Sequence, residues 1–267
     1  MGEDEIQERI QEKLTEIEQK EHVTILHCVE SGSRAWGFAS PDSDYDVRFV
    51  YLRRTEDYLR LDPVRDVIEW QLDDVFDING WDVRKYLQLL HKSNPTAFEW
   101  NTSLFVYRTH PAWEAVREVI PKCFSCKTAA FHYLSIARNN LQNGLQGEQV
   151  KLKKYFYVLR PLLACRWILE HKTPPPMQFS SLTSACFPRG YLPLSEYLLR
   201  KKMQADELET VPRIEALHSF IDVELPLLEK AADAIAPDEG IGWEPLNQVF
   251  LTLLAPDSEH DLTELCL

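Results

Sequence analysis

The sequence predicts an α/β domain built on a mixed sheet, followed by an all-helical domain. In the first half of the chain, apolar residues alternate with polar ones, which is typical of strands that bury one face. Beyond Pro121 the apolar residues recur with the 3.6-residue period of amphipathic helices. A chain of 267 residues with 45% hydrophobic content can bury two such cores. We therefore place the first domain at residues 1–120 and the second at residues 121–267.

The first half opens with a helix and a buried strand. An apolar stripe among charged residues predicts an amphipathic helix over residues 6–21. That stripe consists of Ile6, Ile10, Leu14 and Ile17. The β-branched run HVTILHCV predicts a buried strand over residues 22–29. A turn containing Gly and Ser follows over residues 30–43, with a short helix expected from Ser33.

Three further strands and a helix complete the predicted α/β domain. Residues 45–52 alternate cleanly between two faces and predict a strand. Residues 67–72 and 75–80 predict a hairpin joined at Asp73-Asp74. Residues 82–91 carry an apolar stripe at helical spacing and predict a helix that ends before an Asn-Pro pair.

The second half contains four segments with helical periodicity. They cover residues 128–143, 150–170, 193–204 and 211–234. The clearest loop lies at residues 173–190, because it contains three consecutive prolines.

The charges are segregated along the chain, although the net charge is −13. Residues 1–120 hold 14 basic and 24 acidic groups. Residues 121–202 hold 13 basic and 3 acidic groups, and residues 203–267 hold 2 basic and 15 acidic groups. The basic middle segment is suited either to attract phosphate or to be neutralised by the acidic tail, and the sequence leaves both open.

Other classes of protein are disfavoured by composition. No apolar run reaches the ~18 residues of a membrane span, and the charged N-terminus lacks the apolar core of a signal peptide. We therefore expect a soluble, cytoplasmic protein with no membrane partner. Cys123 and Cys126 form one CxxC, but no second CxxC or spaced His pair accompanies it, which favours reduced thiols over a zinc or redox site.

The stretch from Ser31 to Asp46 (SGSRAWGFASPDSDYD) carries the chemistry. Gly32 lets the backbone approach a ligand closely, and the turn opens a short helix suited to phosphate. Asp44 and Asp46 are two residues apart at the start of a strand, so both carboxylates project from one face. Two carboxylates held so close repel each other unless a hard cation such as Mg²⁺ lies between them. Turn formation alone would explain the Asp and Ser residues but not this alignment.

This arrangement resembles the signature of the DNA polymerase beta superfamily of nucleotidyltransferases, in which a Gly-Ser pair precedes Asp-x-Asp. The string GSRAWGFASPDSDYDVRFVY is similar to one branch, which includes the RNA repair pathway DNA polymerase beta family. Three later pieces agree in order: DINGWDVRK at residues 77–85, SNP followed by Glu99-Trp100, and KKYFYVLRP at residues 153–161 before a Pro-rich loop. The resemblance covers roughly residues 23–180.

The resemblance implies a role for each motif. Gly32 and Ser33 would hold the β- and γ-phosphates of a nucleoside triphosphate, with ATP as the expected donor. Asp44 and Asp46 would bind Mg²⁺ or Mn²⁺, and a third carboxylate on a neighbouring strand would help activate the attacking hydroxyl. Asp77 is favoured as that third carboxylate, and Asp82 is the alternative, although its place at a helix start equally suits an N-cap.

Several residues near these motifs keep two interpretations. Arg34 is suited to bind phosphate or to orient an Asp of the site. Lys154 or Lys153, together with Arg160, would reach the triphosphate from a basic helix, or would lie on a solvated face. Core packing is favoured for a group of aromatic and acidic residues: Trp36, Phe38, Trp81, Glu99 and Trp100.

The function implied is transfer of a nucleoside monophosphate to a hydroxyl acceptor with release of pyrophosphate. The acceptor is left open between an RNA end, a protein and a small molecule. The main alternative is a non-catalytic nucleotide-binding or antitoxin-like protein that uses the same cleft. A metal-dependent phosphohydrolase is disfavoured, because it would require further metal ligands.

Overall fold

A five-stranded mixed sheet forms the centre of the first half. The computed structural model describes residues 2–73, 75–237 and 240–255. The strands are β1 (Val23–Glu30), β2 (Tyr45–Arg53), β3 (Val67–Leu72), β4 (Phe76–Asp82) and β5 (Val106–Thr109). Their order is β3-β4-β2-β1-β5, and only the β2–β4 pair is parallel. The predicted mixed sheet is therefore confirmed, with β5 as an additional strand.

One face of the sheet is covered by the N-terminal helix α1 (Glu3–Glu21). The predicted apolar stripe of this helix is fully buried against strand residues that include Val47, Phe49 and Ile78. Every second residue of β2 points towards α1, so the intervening residues of that strand point to the opposite face. This alternation sets the direction of the Asp44, Asp46 and Arg48 side chains.

The opposite face packs on the helices that connect and follow the strands. These are α4 (Val83–His91), α5 (Pro95–Thr102) and α6 (Trp113–Val119), while two short helices, α2 (Gly32–Trp36) and α3 (Thr55–Tyr58), flank β2. A buried cluster that includes Val50, Tyr86 and Trp113 holds this layer together. The predicted hairpin is confirmed as the antiparallel β3–β4 pair, and Asp74 of its turn lies outside the described residues.

The second half of the chain is helical, as predicted. Its helices are α7 (Cys126–Gly144), α8 (Leu152–His171), α9 (Phe179–Cys186), α10 (Leu192–Gln204), α11 (Glu215–Asp233) and α12 (Trp243–Leu254). Three features were not predicted. Helix α9 lies within residues 173–190, so the predicted loop there is wrong for its middle part, and α12 lies beyond the last predicted helix. In addition, β6 (Gln149–Lys151) and β7 (Thr210–Pro212) form a two-stranded antiparallel ribbon. The ribbon shortens the predicted helices at residues 150 and 211, because their first residues pair as strands instead.

The division into two domains at residue 120 stays a prediction. Helix α12 packs against α4 and α6 of the first half, where Leu246 and Leu253 join the buried cluster. Conversely, Phe38 of the first half lies in the core of the helical part, against Phe156 and Phe179. The two halves are thus joined by apolar packing at more than one place.

None of the described helices has the length and apolarity that crossing a bilayer requires. Cys28, Cys123, Cys165 and Cys186 are buried free thiols. Cys266 lies outside the described residues. The thiol of Cys123 is buried, and burial raises its pKa to about 11, so the thiol stays protonated near neutral pH.

Candidate active site

Three carboxylates meet where β2 and β4 run side by side. Asp46 is the register partner of Asp77 in the parallel β2–β4 pair, and Asp44 precedes β2 by one residue. One carboxylate oxygen from each of Asp44, Asp46 and Asp77 lies within 4.8 Å of the other two. Oxygen donors at this spacing suit a hard divalent cation such as Mg²⁺. The structure therefore brings together the three carboxylates that the sequence singled out.

Gly32 makes room for one of these carboxylates. Its φ of +58° belongs to the left-handed region, and a β-carbon at this position would lie 1.8 Å from Asp46 Oδ2. The backbone is fixed here by a hydrogen bond of 2.8 Å from the Ser31 amide to the Asp46 carbonyl. A glycine is thus required at position 32 because of both the backbone conformation and the space that the Asp46 carboxylate occupies.

Arg48 is a member of the cluster that the sequence prediction missed. Its Nη2 donates to Asp46 Oδ1 at 2.7 Å and to Asp77 Oδ2 at 2.6 Å. Its Nη1 also donates to the Asp77 carbonyl at 2.6 Å. The signal was present in the sequence, since residues 44, 46 and 48 share one face of an alternating strand.

Asp82 serves a different purpose from Asp77. Its carboxylate caps helix α4 by accepting from the Arg84 amide at 2.8 Å, and it also accepts from the Tyr58 hydroxyl at 3.0 Å. Of the two candidates for the third carboxylate, the structure places only Asp77 with Asp44 and Asp46.

Burial and neighbouring negative charges raise the pKa values of two carboxyl groups in this region. Burial, together with repulsion from Asp44 and Asp77, outweighs the attraction of Arg48 and raises the pKa of Asp46 to about 6. Burial likewise raises the pKa of Glu30 to about 7, although this carboxylate accepts hydrogen bonds from the Tyr107 hydroxyl and the Asp46 amide. A bound divalent cation would offset the cost of ionising Asp46.

Arg34 holds the loop that carries Asp44. Its guanidinium donates to the carbonyls of Asp44 at 3.0 Å and Ser43 at 2.6 Å, and it stacks over the Tyr45 ring with 3.8 Å to the centroid. Of the two interpretations for Arg34, these contacts support orientation of the carboxylate loop, through its backbone rather than through an ion pair.

The carboxylates open into a pocket of about 640 Å³ between the two halves. Its lining residues are Ser33, Asp42, Asp44, Asp46, Asp73, Lys153, Tyr157 and Glu207. Lys153 of α8 is the cationic side chain of this lining, and it forms an ion pair of 3.0 Å with Glu207. Burial, with the nearby charges of Glu207, Asp46 and Asp44, raises the pKa of the Tyr157 hydroxyl to about 12.

Glu207 is the second residue that the sequence analysis missed. It accepts hydrogen bonds from Lys202 at 2.6 Å and from the Ser43 hydroxyl at 2.8 Å, while its own amide donates to the Asp42 carboxylate. No local pattern indicates this role, because Ser43 and Glu207 are 164 residues apart in the sequence.

Two of the basic residues predicted to bind nucleotide, Lys154 and Arg160, lie outside this pocket, whereas Lys153, the alternative to Lys154, lines it. Arg160 is buried, and it donates to Glu99 Oε1 at 2.8 Å and to the Met177 carbonyl. Lys154 packs along Gly144, with its ammonium 5.5 Å from the centroid of the Tyr157 ring. Their placement gives the predicted contact with triphosphate no support, since α8 turns Lys153 towards the carboxylates instead.

Of the residues for which core packing is favoured, Phe38, Glu99 and Trp100 are buried, and Trp36 and Trp81 are partly buried against the two cores. Trp81 stacks on Trp100 with 3.9 Å between ring centroids, and Phe38 is buried against Phe156. Glu99 is buried with Arg160 and accepts a hydrogen bond of 2.8 Å from the Tyr133 hydroxyl. Five ion pairs among the described residues join residues 121–202 to residues 203–255, so the acidic tail does neutralise part of the basic segment.

Comparison with known proteins agrees with the geometry. An uncharacterized protein of Bacillus subtilis (strain 168), YcgL, is 42% identical to the chain over 248 residues, which cover 92% of this chain and 95% of the relative. The model of the RNA repair pathway DNA polymerase beta family matches residues 6–252, which include every element of the site described above. The chain therefore belongs to the RNA repair pathway DNA polymerase beta family, a nucleotidyltransferase family of the polymerase beta superfamily.

Proposed function

We propose that the protein transfers a nucleoside monophosphate from a nucleoside triphosphate, with ATP as the first candidate, to a hydroxyl acceptor, and that it requires Mg²⁺ or Mn²⁺. The observation that carries the proposal is the convergence of carboxylate oxygens of Asp44, Asp46 and Asp77 within 4.8 Å of one another, beside the pocket that Asp44 and Asp46 line. Mutual repulsion of three carboxylates destabilises the fold, and a divalent cation offsets that cost. The family assignment supports the transfer chemistry in general terms.

Each residue of the site would bind either the metal or the phosphates. Asp44, Asp46 and Asp77 would hold the metal, which when bound neutralises charge on the phosphates and on the leaving pyrophosphate. Ser33 and Lys153 line the same pocket and would bind the β- and γ-phosphates. Gly32 would contribute backbone next to the phosphates while leaving space for Asp46.

The reaction is an in-line displacement at the α-phosphorus. The acceptor oxygen forms a bond to the α-phosphorus, and the bond from this phosphorus to the bridging oxygen of pyrophosphate breaks. The acceptor proton passes to a carboxylate, for which Asp77 is our candidate because it lies on the neighbouring strand at the edge of the cluster. Arg48 keeps this carboxylate oriented through its contact with Asp77 Oδ2.

A non-catalytic nucleotide-binding protein is the second candidate. It would use the same pocket, but binding alone does not require a third carboxylate beside Asp44 and Asp46. A metal-dependent phosphohydrolase has less support, because the described residues contain one converging group of potential metal ligands, and that group has three members.

The test is to incubate the protein with each α-labelled nucleoside triphosphate and Mg²⁺ or Mn²⁺, together with RNA or with protein alone. Label on RNA, on protein or on a small molecule identifies the acceptor class, and release of pyrophosphate confirms the reaction. Asp44→Asn and Asp46→Asn should reduce transfer by roughly a thousandfold or more. Asp62→Asn is the matched control, since this carboxylate is 64% exposed and pairs only with Arg60. Binding of triphosphate without transfer under all conditions would favour the non-catalytic candidate.

A further inference from the structure

The carboxylate cluster already contains a positive charge. Arg48 Nη2 lies 2.7 Å from Asp46 Oδ1 and 2.6 Å from Asp77 Oδ2, so one nitrogen bridges two of the three carboxylates. Nη1 binds the Asp77 carbonyl at 2.6 Å, which fixes the plane of the guanidinium. The side chain is only 14% exposed. It is therefore part of the site rather than a mobile surface residue.

The charge of the cluster matches one divalent ion when Arg48 is counted. Three ionised carboxylates carry three negative charges, and the guanidinium, which stays protonated in proteins, cancels one of them. The remaining two negative charges are neutralised by a single divalent ion. A second ion would bring excess positive charge next to the guanidinium, which already contacts one oxygen each of Asp46 and Asp77.

The strand pairing does not depend on this bridge. Asp46 and Asp77 are register partners in the parallel β2–β4 pair. The pairing extends from Tyr45 opposite Phe76 to Tyr51 opposite Asp82. Backbone pairing thus places the two carboxylates side by side without Arg48. What the guanidinium adds is a cation at the edge of the cluster where Asp46 and Asp77 meet.

The geometry points to Arg48 as a built-in cation that occupies the position between Asp46 and Asp77, so that the resting protein binds a single divalent ion. This inference rests on the proposed function, since it takes Asp44, Asp46 and Asp77 as the metal ligands. Arg48 is a positioning residue in this arrangement: it keeps Asp77 oriented, and it sets how many ions the carboxylates accept. Entry of a second ion then requires the guanidinium to leave the oxygens that it bridges.

The test is a titration of the full chain with Mn²⁺, with free Mn²⁺ measured by electron paramagnetic resonance and no nucleotide present. We expect the wild-type protein to bind one ion. Arg48→Ala and Arg48→Gln should bind two ions. Their affinity for the second ion should exceed that of the wild type by about tenfold or more. Arg48→Lys keeps the charge and should remain at one ion. The double variant Arg48→Ala/Asp77→Asn should lose the second ion again.

Control and outcomes separate this inference from the proposed function. Arg65→Ala removes an exposed arginine that pairs with Glu69, and it should bind Mn²⁺ as the wild type does. Two equally tight ions on the wild type, or no second ion on Arg48→Ala and Arg48→Gln, would overturn the inference and leave the proposed function standing. No Mn²⁺ on the wild type, even with a non-hydrolysable triphosphate added, would contradict the proposed metal site itself.

Discussion

Gly32 and Asp46 share a space that admits no β-carbon. Gly32→Ala should remove metal binding and transfer, because its methyl group would lie 1.8 Å from Asp46 Oδ2 and would displace that carboxylate. The positive φ adds a backbone cost of about 1–2 kcal/mol. Gly37→Ala is the matched control: its φ is +83°, but nothing lies within 4 Å of the added carbon. Thermal unfolding should show the backbone cost in both variants. Mn²⁺ binding should be lost only in Gly32→Ala.

Asp46 should make the metal-free protein less stable as pH rises. Burial, with repulsion from Asp44 and Asp77, raises its pKa from 3.8 to about 6. The unfolded chain therefore releases this proton first, and the free energy of unfolding falls between about pH 4 and pH 6, by on the order of 2–3 kcal/mol for this group. Asp46→Asn should match the wild type near pH 4 and exceed its stability at pH 7.

Urea unfolding at the two pH values measures this effect. Glu30 titrates in an overlapping range and is present in both proteins, so the comparison isolates most of the Asp46 contribution. Saturating Mn²⁺ should reduce the difference in unfolding free energy between Asp46→Asn and the wild type at pH 7, because the metal stabilises only the folded wild type. A variant less stable than the wild type at pH 7 would show that the Arg48 contact outweighs the repulsion.

Single residues of the site differ in how far the sequence reveals them. Gly32, Asp44, Asp46 and Asp77 follow from local spacing and alternation, since both are properties of a few consecutive residues. Arg48 obeys the same alternation but was overlooked, because a lone arginine on a strand has no distinctive pattern. Glu207 meets Ser43 only through the packing of distant segments, and no spacing rule reports such a contact.

Helix α8 presents Lys153 to the pocket and turns Lys154 away from it. Lys153→Ala should raise the KM for triphosphate about tenfold to a hundredfold, which corresponds to loss of one charge-assisted hydrogen bond. Lys154→Ala should change this KM by less than about twofold. Steady-state kinetics with Mg²⁺ held in excess separates the two variants. A larger effect from Lys154→Ala would restore the assignment that the sequence suggested.

The same helix ties three elements together through a buried ion pair. Arg160 of α8 binds Glu99 of α5, and Tyr133 of α7 donates to the same carboxylate. Arg160→Met should destabilise the fold by about 3–5 kcal/mol, since it leaves the Glu99 charge buried without its partner. The KM for triphosphate should hardly change in the folded fraction, because Arg160 is 4% exposed and lies outside the pocket.

A second substitution checks this explanation. Adding Glu99→Leu to Arg160→Met should recover much of the lost stability, because replacing both members of a buried pair with apolar residues removes the uncompensated charge. Chemical denaturation of the three proteins gives the comparison. A large rise in KM with unchanged stability would instead indicate that Arg160 contacts the triphosphate.

Long elements were predicted more reliably than short ones. Helix α1 and strands β1 and β2 have eight or more residues, which is enough for their periodicity to stand out. Strand β5 has four residues, and β6 and β7 have three each, so their pairing depends on neighbours far along the chain. Helix α12 packs on the first half for the same reason: tertiary contacts, not local pattern, decide its position.

The two halves of the molecule meet at a polar junction beside the active site. Lys202 at the end of α10 is 1% exposed; its ammonium binds the Ser40 hydroxyl and Glu207 Oε1. Glu207 in turn binds Ser43 and Lys153. This junction joins the loop that leads to Asp44 to the helical half, so it couples the geometry of the carboxylates to the way the halves pack.

The contacts within this junction lower the pKa of Glu207. Although burial opposes ionisation, the hydrogen bonds from Lys202, Ser43 and Lys153 outweigh it and lower the pKa of Glu207 to about 2. Because the folded pKa lies below the ordinary value of 4.5, the stabilisation is fully present above about pH 4.5. It is lost as the pH falls towards 2.

Lys202→Met should therefore weaken both the fold and the active site. We expect a loss of about 3 kcal/mol in unfolding free energy, because the partly buried charge of Glu207 loses one of its two lysines. Transfer should fall as well, since the loop that carries Asp44 loses the contact between the Ser40 hydroxyl and the Lys202 ammonium, and Mn²⁺ affinity should fall with it. Lys201→Met is the matched control: it is the preceding residue, its partner is Glu209, and a partly exposed pair of this kind is worth less than about 1 kcal/mol. If Lys202→Met lowers stability but leaves Mn²⁺ affinity and transfer at wild-type values, the junction holds the halves together without governing the carboxylates.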